Sequence, residues 1–230
     1  MYILRKDIKP GVVIWGDRNI YYDDPTKILH GRKSMYVITM VNEDHFYGCP
    51  LTVNKSGKNC TILSTKHYPI KQDSRITECL YKLSYSDIVS DTKFTLTEGT
   101  FEHFKRSLYK RIILGSADSP KEYNEIYVNE YLKEHVPRVN DILVYPSEEK
   151  QFKFYYLYDQ DDENYICVSL NQEKDKDKYL YSIEKIELIN IPKSIRFFDY
   201  FTKHSLNRDT VEEALGAKVK VKSIGCYPKK

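Results

Sequence analysis

The residues best suited to chemistry form a basic, polar group in the first half of the chain. Arg32 and Lys33 precede a strongly apolar run at 35–41, and Thr52 ends the segment 49–52. Antiparallel pairing of these two regions would place the Thr52 hydroxyl near the two cations. A cation and a hydroxyl that converge on one point make a phosphate site, because both donate hydrogen bonds to its oxygens. The sequence therefore predicts an anion-binding site at one end of a sheet.

Other motifs of catalysis or metal binding are absent from the sequence. It contains no glycine-rich phosphate loop, no HExxH pattern and no Gly-x-Ser-x-Gly elbow. The five cysteines are odd in number, widely spaced and out of zinc-finger register with the six histidines. We therefore expect reduced thiols, several of them buried, and neither a metal nor a cofactor.

Composition and charge narrow the class of protein. With 41% hydrophobic and 30% charged residues, nine glycines and nine prolines, collagen-like and disordered chains are excluded. No run approaches the ~18 apolar residues of a membrane span, and the first residues are too charged for a signal peptide, so we expect a cytoplasmic protein without membrane contact. Residues 1–115 carry 18 Lys and Arg against 12 Asp and Glu, whereas residues 116–230 carry 18 against 21. The first half is the better candidate for binding a polyanion.

Short runs rich in Val, Ile, Tyr and Thr predict antiparallel strands in both halves. In the first half the predicted strands are 12–15, 35–41, 45–50, 59–63 and 76–80. Helical spacing, caps and glycine stops predict helices at about 97–115, 120–134 and 209–216. The mixed-charge run 172–178 predicts a solvated hairpin loop, and the alternating lysines at 218–222 predict an edge strand.

The chain repeats itself weakly beyond Pro137. The strand at 12–15 corresponds to 142–145, an offset of 130, and the strand at 36–40 corresponds to 154–158, an offset of 118. The helix near Thr100 corresponds to a second helix predicted near Ser194. Two copies of one small β-barrel-like unit, joined by the helix that begins near Pro120, account for this pattern. The second copy lacks about twelve residues of the loop that carries His30, Arg32 and Lys33.

Five segments of the first half, in their order and spacing, resemble the PemK/MazF-like toxin superfamily. They are an opening strand at 10–17, a turn at 31–34, the segments 49–52 and 71–74, and a final helix at 101–111. The resemblance covers about residues 8–114. Its protein-neutralised branch has arginine and proline where this chain has Lys33 and Ser34, while the RNA-neutralised ToxN-like branch uses lysine before that strand.

The resemblance implies a fold and an activity. The fold class is mainly β with α (α+β): two tandem SH3-like, PemK-type small β-barrels, each with a packed C-terminal helix. The expected parts are a barrel with the active site at 1–116, a linker helix at 117–136, and a degenerate second barrel at 137–230. The activity is that of a metal-independent endoribonuclease of toxin-antitoxin type, which cuts single-stranded RNA through attack by the 2′-OH. An antitoxin of protein or RNA is the expected partner, and the chain is either a monomer with pseudo-dimeric tandem barrels or a homodimer.

Residue roles follow from the same resemblance and from this chemistry. The expected catalytic residues are Lys33, Arg32 and Thr52, which would neutralise and orient the phosphate. Basic and hydroxyl groups, possible proton carriers and stacking aromatics make up the expected substrate-binding set: His30, Ser74, Lys55, Tyr22, Phe46 and His67.

Plainer readings stay open for these residues. Arg32 and Lys33 could be a solvated charge pair, Ser74 a turn cap, and His30 an ordinary surface histidine. At the level of the whole protein, the alternatives are a non-catalytic module that binds nucleic acid or protein, and a structural protein of two tandem barrels, which would show no salt-dependent RNA binding.

Overall fold

The computed structural model describes residues 5–18, 32–53, 61–77, 79–117, 119, 121–147, 151–175 and 178–216. The chain divides into two compact units, Met1–Glu134 and His135–Lys230. Within the described residues, twelve strands form two antiparallel sheets and three α-helices accompany them. The protein is therefore mainly β with a few helices, as the sequence predicted.

Unit 1 contains a seven-stranded sheet and two helices. The elements are β1 Val12–Arg18, β2 Arg32–Val41, β3 His45–Thr52, β4 Thr61–Leu63, β5 Ser74–Ile76, β6 Tyr81–Ser84, β7 Ile88–Thr95, α1 Glu98–Ile113 and α2 Lys121–Glu134. The strand order is β4-β5-β3-β2-β1-β7, and β6 also pairs with β3. The first residues of β3 pair with β6, and its last two, Leu51 and Thr52, pair with β5.

Local signals explain the helix limits in unit 1. The Thr97 hydroxyl accepts a hydrogen bond from the Thr100 N–H and caps the start of α1. Gly115, at φ +65°, ends the helix, and the next N–H, that of Ser116, bonds back to the carbonyl of Arg111. Both limits of α1 and the end of α2 at Glu134 agree with the sequence prediction.

Side chains on both faces of this sheet are buried. The helical face carries Val13, Val37 and Cys49, which pack with Phe104 and Leu108 of α1. The opposite face carries a second cluster: Ile8, Ile14, Tyr36, Ile38, Phe46, Tyr81 and Leu83. Because side chains alternate along a strand, odd-numbered residues of β1, of β2 up to Ile38 and of β3 lie on the helical face, and even-numbered residues lie on the opposite face. The register shift after Ile38 reverses this order at the end of β2, where Met40 packs on the helical face and Val41 on the other.

Helix α2, predicted as a linker, packs into unit 1. The Tyr131 ring stacks on Tyr109 of α1 at 4.2 Å between centroids, and Tyr123 contacts Tyr47 of β3 at 4.9 Å. The Tyr127 hydroxyl donates to the Lys105 carbonyl at 3.1 Å. These contacts make α2 part of the core of unit 1.

Unit 2 contains a five-stranded sheet and one α-helix among its described residues. The elements are β8 Ile142–Pro146, β9 Phe152–Gln160, β10 Asn164–Asp175, β11 Lys178–Pro192, β12 Asp199–Phe201 and α3 Arg208–Gly216. The strand order is β11-β10-β9-β8-β12. Val211 and Leu215 of α3 pack on Ile142, Tyr156 and Val168 of the sheet.

Three sequence predictions were wrong in detail. The predicted strand 76–80 is instead the end of β5 followed by a break before β6, because Ile76 and Tyr81 pair with different parts of β3. The predicted loop 172–178 is largely paired strand, since Gln172 faces Tyr181 and its amide donates to that hydroxyl at 3.0 Å. No helix forms near Ser194; a turn from Pro192 to Ile195 leads towards β12, and the helix of unit 2 is α3. The predicted edge strand 218–222 lies outside the described residues.

The two units begin with the same turn. The N–H of Val12 bonds to the Lys9 carbonyl at 3.1 Å, and the N–H of Asp141 bonds to the Arg138 carbonyl at 2.9 Å. The third residue of each turn has positive φ, +83° at Gly11 and +79° at Asn140. Each also donates its N–H to the second strand of its unit, to the carbonyls of Ile38 and Leu157, both at 2.8 Å.

These matching bonds correct the sequence alignment by one residue. Gly11 corresponds to Asn140 and Ile38 to Leu157, which are offsets of 129 and 119 rather than 130 and 118. The strand order β6-β3-β2-β1-β7 in unit 1 has the same form as β11-β10-β9-β8-β12 in unit 2. The first three strands and their flanking strands therefore follow one plan in both units.

Candidate functional site

The strand register of unit 1 brings two hydroxyls and one cation into a row. Thr52 of β3 lies directly opposite Arg75 of β5. On the other side of β3, Tyr36 of β2 faces Pro50, and Ser34 and Thr52 each lie two residues beyond this last pair. Thr52 and Arg75 share a face because they are directly opposite, and strand alternation gives Ser34 the face of Tyr36 and Thr52 the face of Pro50, so all three project from the opposite face. We call these three residues the Thr52 row; each is half-buried.

The register separates Lys33 from Thr52. Lys33 is exposed and lies opposite Asp17 of β1, on the helical face. The predicted convergence of the Lys33 ammonium and the Thr52 hydroxyl on one face of the sheet does not fit this arrangement, because neighbouring residues of a strand project to opposite faces. Arg32 belongs to β2, where its backbone pairs with Arg18, and its side chain lies outside the described residues.

The remaining predicted residues that the structure describes do not belong to the Thr52 row. Ser74 is 2% exposed, and its hydroxyl donates to the Gln72 carbonyl at 3.0 Å. Phe46 is fully buried against Tyr85, so its ring is not available to stack on a base. His67 is exposed in the turn after β4. Three further predicted residues lie outside the described part of the chain: Tyr22, His30 and Lys55.

Arg75 is the functional candidate that sequence reasoning missed. Ser74 pairs with the fully buried Leu63, which belongs to the core of the helical face. Strand alternation then turns Arg75 to the opposite face, beside Thr52. The family resemblance at 71–74 pointed to this part of the chain, but it selected the Ser74 hydroxyl and not the neighbouring Arg75.

A second polar group lies at the same end of the sheet, on the helical face. Trp15 of β1 faces Met35 of β2, and Asp17 faces Lys33 one pleat further along. Trp15 and Asp17 are half-buried, while Lys33 is exposed. The Oδ1 atom of Asp17 is buried, and no described residue donates a hydrogen bond to it. We call these four residues the Trp15 patch.

An imidazole lies between a carboxylate and a phenol at the opposite end of β2 and β3. His45 Nδ1 bonds to Asp44, and His45 Nε2 lies 2.8 Å from both the Tyr47 hydroxyl and the Asn42 amide nitrogen. The hydrogen bond with His45 lowers the pKa of the Asp44 carboxyl. Seven residues of β3, roughly 23 Å, separate His45 from Thr52, so this cluster fixes the hairpin and does not serve the Thr52 row.

Lys105 joins the two helices beside a cleft of about 240 Å³. Its ammonium lies 2.7 Å from Glu102 and 2.6 Å from Glu134. Burial works to lower the pKa of Lys105, but the hydrogen bonds to the two glutamates outweigh burial and raise it. The cleft lies between the end of β2 and the helices α1 and α2, away from the Thr52 row.

Within the described ranges, none of the helices is both long and apolar enough to cross a membrane. In the same ranges, no group of three or more His, Cys, Asp or Glu side chains is placed to hold a metal ion.

Comparisons with known proteins give no family for this chain: no family model matches it, and no curated protein matches it.

Proposed function

We propose that unit 1 binds single-stranded RNA at the Thr52 row and cleaves it through attack of the 2′-OH on the adjacent phosphate. The observation that carries this proposal is the direct pairing of Thr52 with Arg75 across β3 and β5. A hydroxyl and a guanidinium on neighbouring strands can donate to the same phosphate, and arginine can do so through two N–H groups.

RNA cleavage by the 2′-OH requires hydrogen-bond donors and a cation at the phosphate. Cleavage by the 2′-OH needs alignment of the attacking oxygen and neutralisation of the charge that develops on the phosphorane. Arg75 would carry the neutralisation, Thr52 would donate to a non-bridging oxygen, and Ser34 would add a second hydroxyl. Removal of one such donor typically slows a reaction about a hundredfold.

The charge of the sheet and first helix of unit 1 supports a polyanionic substrate. Residues 1–115 have a net charge of +6 by count, whereas residues 116–134, which include α2, carry −3, so the whole unit has +3. A positive field of this kind raises the local concentration of RNA and speeds its association.

The resemblance to PemK/MazF-like toxins belongs to the same proposal. The shared turn at Gly11 and Asn140, and the equal strand orders of the two units, support a tandem pair of SH3-like barrels. In this proposal the Thr52 row lies in the first copy, the second copy is degenerate, and an antitoxin of protein or RNA restrains the activity in the cytoplasm.

A second candidate is a module that grips RNA without cutting it. The observation in its favour is the position of Lys33, which the register sets on the other face from Thr52. Binding of a phosphate needs only the cation and the hydroxyl, whereas cleavage also needs proton carriers. Of the described histidines, His45 lies at the other end of β3 from Thr52.

One assay distinguishes the two candidate functions. Long single-stranded RNA is incubated with the protein in EDTA, and fragments with 5′-OH ends are sought. Cleavage that is lost in Thr52→Val and in Arg75→Ala, but kept in Arg138→Ala, supports the nuclease; Arg138 is an exposed arginine of unit 2 and serves as the matched control. Salt-dependent binding without fragments supports the module instead. A protein that neither binds long RNA nor produces fragments from it would overturn both candidates.

A further inference from the structure

We propose that the Trp15 patch binds a nucleobase and prefers guanine. The inference rests on the proposed RNA function, for which it names a base that is bound on the other face of the same sheet end. Four side chains of β1 and β2 form the patch, and they lie at the same sheet end as the Thr52 row, on the helical face.

The register gives the patch its shape. Trp15 and Met35 are opposite one another, as are Asp17 and Lys33. Side chains opposite each other across the ladder have Cβ atoms about 5 Å apart, and same-face neighbours along a strand are about 7 Å apart. An indole, a thioether, a carboxylate and an ammonium therefore lie within an area close to that of one purine. The indole is the stacking surface, and the two charged groups address the edge of the base.

Asp17 supplies the observation that points to a ligand. A buried carboxylate oxygen without a donor is costly, because burial removes its water and nothing replaces the lost hydrogen bonds. The Oδ1 atom of Asp17 is in this condition among the described residues. A ligand that brings an N–H group to this oxygen would remove the cost. Lys33, exposed and directly opposite, presents a donor beside this acceptor.

The order of acceptor and donor selects guanine. A carboxylate has two oxygens that accept, and guanine offers it two adjacent donors, the N1–H and the N2 amino group. The neighbouring O6 of guanine is an acceptor that suits the Lys33 ammonium. Adenine and cytosine each offer one amino group beside an acceptor nitrogen, and uracil offers a single N–H between two carbonyls, so each leaves one carboxylate oxygen without a donor.

The chain contains one tryptophan, so selective excitation of indole reports on Trp15 alone. The full-length protein is titrated with GMP, IMP, AMP, CMP and UMP, which all carry the same phosphate. IMP differs from GMP only in lacking the N2 amino group. We expect GMP to quench the fluorescence at the lowest concentration and to bind about tenfold more tightly than IMP, because the missing donor leaves Asp17 unsatisfied.

Two variants and one control complete the test. Asp17→Asn should bring the GMP to IMP affinity ratio close to one, and Lys33→Ala should weaken both nucleotides equally, since both retain O6. Glu125→Gln, which changes an exposed carboxylate on α2, should leave the ratio unchanged. Thermal unfolding of each variant shows that it is folded; if Asp17→Asn is not, Lys33→Ala at an exposed position and the comparison of GMP with IMP on the unchanged protein still decide the matter.

Failure of this inference and failure of the proposed function give different results. Equal binding of GMP and IMP, an unchanged ratio in Asp17→Asn, or no quenching by any nucleotide would overturn the guanine site, even if RNA is cleaved and Thr52→Val abolishes cleavage. A GMP preference that Asp17→Asn removes would support the site, even if long RNA is neither cleaved nor bound.

Discussion

Thr52 of β3 lies directly opposite Arg75 of β5, whereas Lys33 of β2 lies opposite Asp17 of β1, on the other face of the sheet. Lys33 and Arg75 are therefore not equivalent neighbours of the Thr52 hydroxyl in the folded protein. The strand period of two decides which of them shares a face with the hydroxyl. Arg75 and Thr52 therefore carry the proposed phosphate contact.

The turn at Gly11 gives a prediction for stability. Gly11→Ala should destabilise unit 1 by about 1–2 kcal/mol, because an alanine at φ +83° brings Cβ too close to the following carbonyl. A Cβ there would lie 3.6 Å from the Phe101 ring, an ordinary contact, so the cost comes from the backbone. Chemical denaturation measures the change in the free energy of unfolding.

Gly99→Ala is the matched control for this change. A Cβ on Gly99 meets nothing within 4 Å, and the residue lies in α1, where alanine is the better helix former by about 0.5–1 kcal/mol. We expect this variant to be as stable as the original or slightly more so. Equal decreases in the free energy of unfolding of Gly11→Ala and Gly99→Ala would contradict the role given to the positive φ of Gly11.

Lys105 gives a prediction with a pH dependence. Lys105→Met should lower stability by on the order of 1 kcal/mol, since it leaves Glu102 and Glu134 without their shared cation. The folded state raises the pKa of Lys105 above 10.5. Its contribution is therefore fully present at neutral pH and is lost as the pH rises through the folded pKa. Unfolding curves of both proteins between neutral and strongly alkaline pH check this.

Lys133→Met is the control for the lysine change. Its partner is Glu130, at 2.5 Å, but both side chains are more than half exposed, so the pair should contribute little. Two results would contradict a stabilising Lys105 bridge. One is a decrease in the free energy of unfolding of Lys133→Met as large as that of Lys105→Met. The other is a difference in that free energy between wild type and Lys105→Met that grows at alkaline pH.

The cysteines give a prediction for reactivity. Burial raises the pKa of the Cys167 thiol, so little thiolate exists at neutral pH and reagent cannot reach it. In a variant with Cys60 and Cys226 replaced by serine, alkylation of the native protein should modify the half-buried Cys79 and spare Cys49 and Cys167. Mass spectrometry identifies the modified sites. Fast native labelling of Cys167 would mean that unit 2 opens without unfolding.

Much of the fold could be predicted from the sequence, where the signal is local. The cap at Thr97 and the stop at Gly115 define α1, and the polar residues 42–44 form the hairpin between β2 and β3. Pairings set by distant residues could not be predicted. The composition of 76–80 predicts one strand, but Ile76 ends β5 and pairs with Leu51, whereas the next strand begins at Tyr81 and pairs with an earlier part of β3. The mixed charge of 172–178 correctly indicates exposure to solvent. It does not distinguish a loop from an exposed two-stranded ribbon, because both are equally polar.

The candidate site was predicted only in its location. Thr52 and the start of β2 could be placed at one sheet end from their segments alone. The face of each residue depends on the register of three strands, which the sequence does not display. Arg75 emerged only when its pairing with Thr52 was known, and Phe46 proved to be a core residue rather than a stacking surface.

The most direct test of the central claim is a double-mutant cycle on RNA cleavage in EDTA, with Thr52→Val, Arg75→Ala and the double variant. If both side chains hold one phosphate, each single change should slow cleavage about a hundredfold, and the double change should cost clearly less than the product of the two. Cleavage at the original rate in either single variant, with the fold intact, would contradict the account.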